Sequence, residues 1–220
     1  KGTAVALVYY PGCKFSARYP QASAWIERVM RERHDAAIAR CCSVDYVLPK
    51  RGDTAVYVCP TCAAILGESA PQARLVSAYE LIAGDAALEL PDLGGEHMAL
   101  QDCWRSRRDG VLHEAVRALL RRMNVQVEEV EPNRAQADSC GVTLLREPSP
   151  RYGRLAPHLA ASPAFRPAPQ DEQLRYAREE LAPRYRTSRV ACYCTGCMEG
   201  AELAGREAVH VLGLIDEASR

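Results

Sequence analysis

Five cysteines fall early in the chain: Cys13, the adjacent pair Cys41-Cys42, and Cys59-Pro60-Thr61-Cys62. The second half echoes them. Cys103 stands alone, Ser139-Cys140-Gly141 occupies the place of the pair, and Cys194-Thr195-Gly196-Cys197 closes the series with Cys192 close by. A metal or cluster site needs several sulfurs at one point, and a Cys-x-x-Cys turn supplies only two of them. The fold is therefore required to carry distant cysteines together, and to do so twice. This implies a duplicated scaffold with two sulfur-rich sites.

The other constraints narrow the setting. Disulfide frameworks belong to small secreted domains that cannot build a core. A chain of 220 residues can bury one without them. Adjacent cysteines also rarely bridge each other without strain. The ten cysteines thus read as metal ligands or redox groups in a reducing compartment, which predicts a cytoplasmic protein. Lys and Arg number 28, as do Asp and Glu, so the basic excess of a dedicated nucleic-acid binder is missing. No apolar run approaches the roughly 18 residues of a membrane span, and no secretory signal is visible.

Hydrophobic patterning predicts alternating strands and helices. Thr3 to Tyr10 and Thr54 to Val58 read as short buried strands that end just before Cys13 and Cys59. His97 to Gln101 is a third, leading into Asp102-Cys103, and Val125 to Val130 a fourth. Gln21 to Ala39 and Gly110 to Met123 space their apolar residues three and four apart, as amphipathic helices do. In the latter, Arg117, Arg121 and Arg122 are placed beside the apolar face. Leu75 to Ala83 and Val209 to Ile215 read as further apolar helices. Asp85 to Glu96 carries Pro91 and Gly94-Gly95 and reads as a linker. Arg146 to Arg189 is rich in Pro and Arg; only Asp171 to Leu181 within it has helical character. It is either a surface insertion or a lid or docking arm at the second site.

Laid over each other, both halves run strand, Cys, helix, Cys or Cys-Cys, strand, Cys-x-x-Cys. The expected fold is α/β: two pseudo-repeated strand-helix halves with mainly parallel sheets, and cysteine sites at the C-terminal ends of the strands. The expected halves are residues 1–95 and 96–220, the second carrying the 146–189 insertion.

Four thiolates suit either a tetrahedral zinc ion or a four-iron cluster. Five exceed what one zinc ion uses, and the diverging side chains of Cys41 and Cys42 suit a larger object. An extended iron–sulfur cluster is the preferred reading of the first set. The second set, Cys103, Cys140, Cys194 and Cys197, fits any four-thiolate site, with Cys192 read more simply as a packed thiol. His97, His113 and His210 read as structural or exposed. Arg105, Arg107 and Arg108 read as a solvated turn, with an alternative role in offsetting cluster charge or gripping an anionic thiol. No Ser/His/Asp set is evident.

Tyr10-Pro11-Gly12-Cys13, Cys41-Cys42, Cys59-Pro60-Thr61-Cys62, Asp102-Cys103, Cys140-Gly141 and Cys194-x-x-Cys197 together resemble the tandem cysteine-rich CCG domains of the heterodisulfide reductase family. The resemblance spans nearly the whole chain outside the insertion. It implies an iron–sulfur oxidoreductase component that takes electrons from a partner protein and passes them to a disulfide or other small acceptor. It further implies that Cys13, Cys41, Cys42, Cys59 and Cys62 hold a non-cubane four-iron cluster. Cys103, Cys140, Cys194 and Cys197 would hold a second 4Fe-4S centre. The chain departs from that pattern in three places: Ser43 follows the first pair, only 16 residues separate Cys42 from Cys59, and Ser139 replaces the first cysteine of the second pair. Two rivals stand beside this reading. One is a zinc-binding structural or interaction module on the same scaffold. The other is a thiol–disulfide exchanger using Cys59 and Cys62 directly.

Overall fold

Short runs of Val, Tyr, Leu and Ala form the central strands of each sheet, because strands covered on both faces call for near-continuous apolar sequence. The structure, a computed structural model, describes residues 6–40 and 49–219. The first sheet uses β1 (Leu7–Tyr10), β2 (Ala37–Ile38), β3 (Thr54–Tyr57) and β4 (Arg74–Ser77) in the order β2-β1-β3-β4. All of its pairings are parallel, with Leu7 opposite Thr54 and Thr54 opposite Arg74. The helices of this half are α1 (Cys13–Arg18), α2 (Pro20–His34), α3 (Pro60–Ser69) and α4 (Ala78–Gly84).

The second sheet repeats the plan. Strands β5 (His97–Gln101), β6 (Gln126–Glu129), β7 (Arg189–Cys192) and β8 (Glu207–His210) lie in the order β6-β5-β7-β8, again wholly parallel. Helix α5 (Gly110–Arg122) makes the crossover from β5 to β6, and α9 (Thr195–Leu203) that from β7 to β8. Between β6 and β7 lie α6 (Pro150–Leu155), α7 (Pro157–Ala160) and α8 (Gln170–Tyr176). Strands β1 to β4 correspond one for one to β5, β6, β7 and β8. The α/β duplication implied by the cysteine order is thus present in the topology.

Several predicted boundaries change. The Leu75 to Ala83 segment is not one helix: β4 takes its first residues and α4 the rest. Val209 and His210 end β8, and a 3-10 helix then runs Val211–Ser219. A short apolar run has too few residues for its period to separate an edge strand from a helix. The helix over Gln21 to Ala39 stops at His34, where Asp35 adopts a left-handed conformation (φ 49°), and the chain then enters the two-residue β2. Asp171 to Leu181 is helical, but its last turn, Ala177–Leu181, widens to π geometry.

Two compact units divide the chain: Lys1–Ala78 with Ser149–Ser162, and Tyr79–Pro148 with Pro163–Arg220. The first is built on Tyr9, Tyr10, Phe15, Ile26, Met30 and Leu66, all at most 1% exposed. Part of the Pro/Arg-rich segment belongs to it. Glu68 of α3 accepts the backbone N–H groups of His158 and Leu159 at 2.8 Å each, satisfying two of the orphan donors that open α7. The second unit is built on Tyr79, Met98, Leu100, Leu112, Leu120 and Tyr193. There Arg146 forks onto Glu199 of α9 at 2.7 and 3.0 Å, and Arg184 onto Asp138 at 2.7 and 3.2 Å.

Candidate metal centre

Three loops of the second unit converge at the C-terminal edge of its sheet. Cys103 follows β5 by one residue and caps a 3-10 turn, Trp104–Ser106. Cys194 follows β7 and is the N-cap of α9, while Cys197 lies in the first turn of that helix. The N–H groups at a helix start favour thiolate over thiol. Cys140 comes from the irregular segment after β6 and is tied to the first loop by Trp104 N–H donating to Ser139 O at 2.8 Å.

The sulfur atoms of Cys103, Cys140, Cys194 and Cys197 all lie within 4.8 Å of one another. Cys103 Sγ is 3.5 Å from Cys140 Sγ, which is 3.6 Å from Cys194 Sγ. All four are buried: Cys194 is 2% exposed and the others 0%. Cys140 is the thiol most favoured to ionise among those with a resolved shift. Donation from Cys103, then from Cys194 and Cys197, holds its thiol well below the usual range against the opposing effect of burial, with Arg105 adding to the pull. Burial, then donation towards Cys140, pushes Cys103 far up. Donation among the thiols, Cys103 first, does the same to Cys197. Metal binding requires the ligating thiols to give up their protons, so a cation binding here would release them.

A polar network fixes the Cys103 loop from behind. The Tyr193 hydroxyl donates to Asp102 Oδ1 at 2.8 Å, accepts the Cys103 N–H at 3.1 Å and lies 2.9 Å from Ser106 Oγ. Asp102 also meets Arg117 at 2.7 and 3.3 Å and accepts the Arg134 N–H at 2.8 Å. Arg117 continues to Glu129, with Nε 2.7 Å from Oε1. Burial pushes the Asp102 carboxyl up, but Arg117, the Arg134 N–H and Tyr193 together hold it below the usual carboxylate range.

Two glycines allow the Cys140 loop to reach α9. Gly141 has φ 56°, and a Cβ there would sit 2.1 Å from the Gly196 carbonyl oxygen. A Cβ on Gly196 would lie 2.5 Å from Thr143 Oγ1 and 3.1 Å from Cys140 Sγ. Contacts this close exclude a side chain at either position.

The other sequence candidates fall as follows. Cys13 is exposed at the start of α1, Cys59 is half-buried at the N-cap of α3, and Cys62 is buried in the first turn of that helix. A Cβ on Gly12 would meet Cys59 Cβ at 3.6 Å, so the Cys13 and Cys59 loops are neighbours at the edge of the first sheet. Cys41 and Cys42 lie outside the described residues. Cys192, buried at the end of β7, is not part of the four-sulfur group. His113 and His210 are buried, and His97 is exposed on Gln126 at 2.6 Å.

The network behind Cys103 is not legible in the sequence. The helical period puts Arg117 at the edge of the apolar face, yet the residue is 3% exposed. A charge is tolerated there because two acids meet it, and neither lies within a helical turn of it. Tyr193, between two cysteines, carries no signal of its own. The Asp-Cys dipeptide at Asp102-Cys103 is visible without its role. Of the three arginines after Cys103, Arg108 is exposed while Arg105 and Arg107 are half-buried.

No family model matches the chain, and no curated protein does. Among solved structures, an aspartate racemase from Picrophilus torridus aligns over 99% of this chain and 95% of its own, at 11% identity and a TM-score of 0.33. That likeness is too low to carry an argument about chemistry. Among the described residues, no helix is long and apolar enough to cross a membrane.

Proposed function

We propose that the protein is a metal-binding protein whose second unit holds one tetrahedral ion, zinc by preference, on Cys103, Cys140, Cys194 and Cys197. The observation carrying this reading is the spacing of the four sulfurs. Zinc–thiolate bonds of about 2.3 Å place tetrahedral sulfurs about 3.8 Å apart. The short separations here, 3.5 and 3.6 Å, lie close to that edge, within an overall spread of 4.8 Å. A four-iron cubane holds its thiolates at the outer corners of a cube, farther apart than four sulfurs on a single ion. Four buried thiolates also fill a tetrahedral ion's coordination and leave no position for a substrate, which is the character of a structural centre. Ser139 adds to this: the hydroxyl standing where a fifth thiolate would be is buried without a hydrogen-bond partner among the described residues.

The first half favours a second, complementary reading. Cys13 and Cys59 sit on adjacent loops at the edge of the first sheet, and Cys13 is exposed. With Cys41, Cys42 and Cys62 they form the five-cysteine set of a CCG-like motif. On this reading the first half binds an iron–sulfur cluster and exchanges electrons with a partner protein and a small thiol or disulfide, as in a heterodisulfide-reductase-like component of the cytoplasm. The second centre then braces the scaffold.

Metal and acid-labile sulfide content of anaerobically purified protein tests both readings. One zinc per chain, lost in a Cys140→Ser variant, is the expected result for the second unit. Iron with matching sulfide, lost in Cys41→Ser and retained in Cys140→Ser, is expected for the first. Iron and sulfide that depend on Cys140 would overturn the single-ion reading. Absence of sulfide after anaerobic reconstitution would withdraw the redox role.

A further inference from the structure

The arginines after Cys103 are not equivalent. Arg107 stacks on its neighbour Trp104, 4.3 Å from the ring centroid, and donates to the Trp104 carbonyl at 3.2 Å. Arg108 is exposed. Arg105 instead turns inward and donates from NH1 to Cys140 Sγ. Its Nε and NH2 atoms are buried, and its guanidinium lies 5.8 Å from the centroid of the Phe165 ring. The Trp104–Ser139 backbone hydrogen bond brings the turn close enough for this reach.

We propose that Arg105 is a positioning residue for the tetrathiolate centre, one that compensates its charge and moderates the donor strength of Cys140. This rests on the single-ion reading above. Four thiolates around a divalent ion leave a net charge of about −2 in a buried site, and burial of such charge is costly unless a partner meets it. A guanidinium stays protonated at any accessible pH, so it supplies that partner permanently. An N–H group pointing at sulfur also draws electron density from the thiolate. The bond to metal becomes less covalent, and Cys140 becomes a poorer nucleophile than an unassisted ligand. The effect is local, because Arg105 is the arginine of this turn that reaches Cys140 while Arg107 is held on Trp104. Phe165 faces the cation as well, and cation–π attraction compensates for lost hydration.

Cobalt(II) reports both parts of this role. The full chain would carry Cys13→Ser, Cys41→Ser, Cys42→Ser, Cys59→Ser and Cys62→Ser, so that first-half sulfurs do not compete, and would be titrated anaerobically with cobalt against a chelator. The parent should bind one ion with a tetrathiolate charge-transfer band. Outer-shell partners of metal ligands typically contribute 10–100-fold in affinity, so Arg105→Gln should bind about 10–100-fold more weakly. Its charge-transfer band should move to lower energy, as the released thiolate donates more strongly. Arg105→Lys, which keeps the charge but loses the planar fork, should fall between the two on both measures. If Arg105→Gln does not fold by circular dichroism, the lysine variant decides: a band below the parent's supports the role, and an unchanged band and affinity overturn it. Equal loss of affinity in both variants with an unmoved band would mean that Arg105 only props the turn, and the inference fails. A parent that shows no tetrathiolate cobalt spectrum would instead remove the metal reading itself.

Discussion

Replacing Arg117 with leucine should expose how much the second unit depends on one buried charge. The Arg117 side chain is 4% exposed and faces Asp102, which is 0% exposed, and Glu129, which is 36% exposed. Leucine leaves Glu129 able to turn to water but strands Asp102, which among the described residues then keeps the Arg134 N–H and the Tyr193 hydroxyl. Breaking a buried pair by removing one partner costs about 3–5 kcal/mol. At a urea slope of about 2 kcal/mol/M, the unfolding midpoint falls by about 1.5–2.5 M. The sign with pH follows from the carboxyl. In the parent, Asp102 is held below its unfolded value of about 3.9, so its contribution is present above that pH and is lost as pH falls through the folded value. In the variant, burial acts without Arg117, the folded value rises above about 3.9, and the penalty disappears as the carboxyl protonates. The gap between parent and variant therefore narrows as pH falls from about 7 towards 4. Both chains keep the same cysteines, so thiol protonation cancels in the difference. Urea unfolding followed by circular dichroism at several pH values measures the gap. A gap below about 1 kcal/mol at neutral pH, or one that does not change with pH, would refute the reasoning. Adding Asp102→Asn to Arg117→Leu should recover part of the loss, since the stranded charge is then gone.

Two further substitutions separate ligand from scaffold. Ser139→Ala removes a buried hydroxyl that has no partner among the described residues; it should leave metal stoichiometry unchanged and stability equal or higher by about 1 kcal/mol, while loss of the ion would make Ser139 a ligand. Gly141→Ala places a Cβ 2.1 Å from a backbone oxygen in a left-handed conformation; it should cost about 3 kcal/mol or more and weaken metal binding, and a normal melting curve would show that the two loops do not need to approach so closely.

What is legible in the sequence is what is local. The Cys-x-x-Cys turn announces a strand end followed by a helix start, and α9 begins where that turn requires. The amphipathic period of α5 is plain over thirteen residues. The cysteine order exposes the duplication even where the strands are hidden. Strand β2 has two residues and offers no period to read; it is recognisable only as the counterpart of β6. Other parts of the site depend on partners that no window of sequence contains. Arg117 is buried because Asp102 and Glu129, 15 and 12 residues away, converge on it. Arg105 turns inward to donate to Cys140, 35 residues on. Gly141 and Gly196 look like ordinary turn glycines until the backbones they separate are seen together.

The spread of the four sulfurs along the chain also sets an order of events. Cys103 and Cys140 are separated by 37 residues, and Cys140 and Cys194 by 54. During synthesis the first two emerge well ahead of the Cys194–Cys197 turn, and two thiolates make a weak, indiscriminate grip on any soft cation. The tight site comes into being only after β7 has entered beside β5 and α9 has begun. On the metal-binding reading proposed above, choice of ion would thus be deferred to the end of folding, when geometry rather than encounter decides which ion stays. An ion captured there closes two long loops at once, so loading would act as the final lock on the second unit and not as the seed from which it grows.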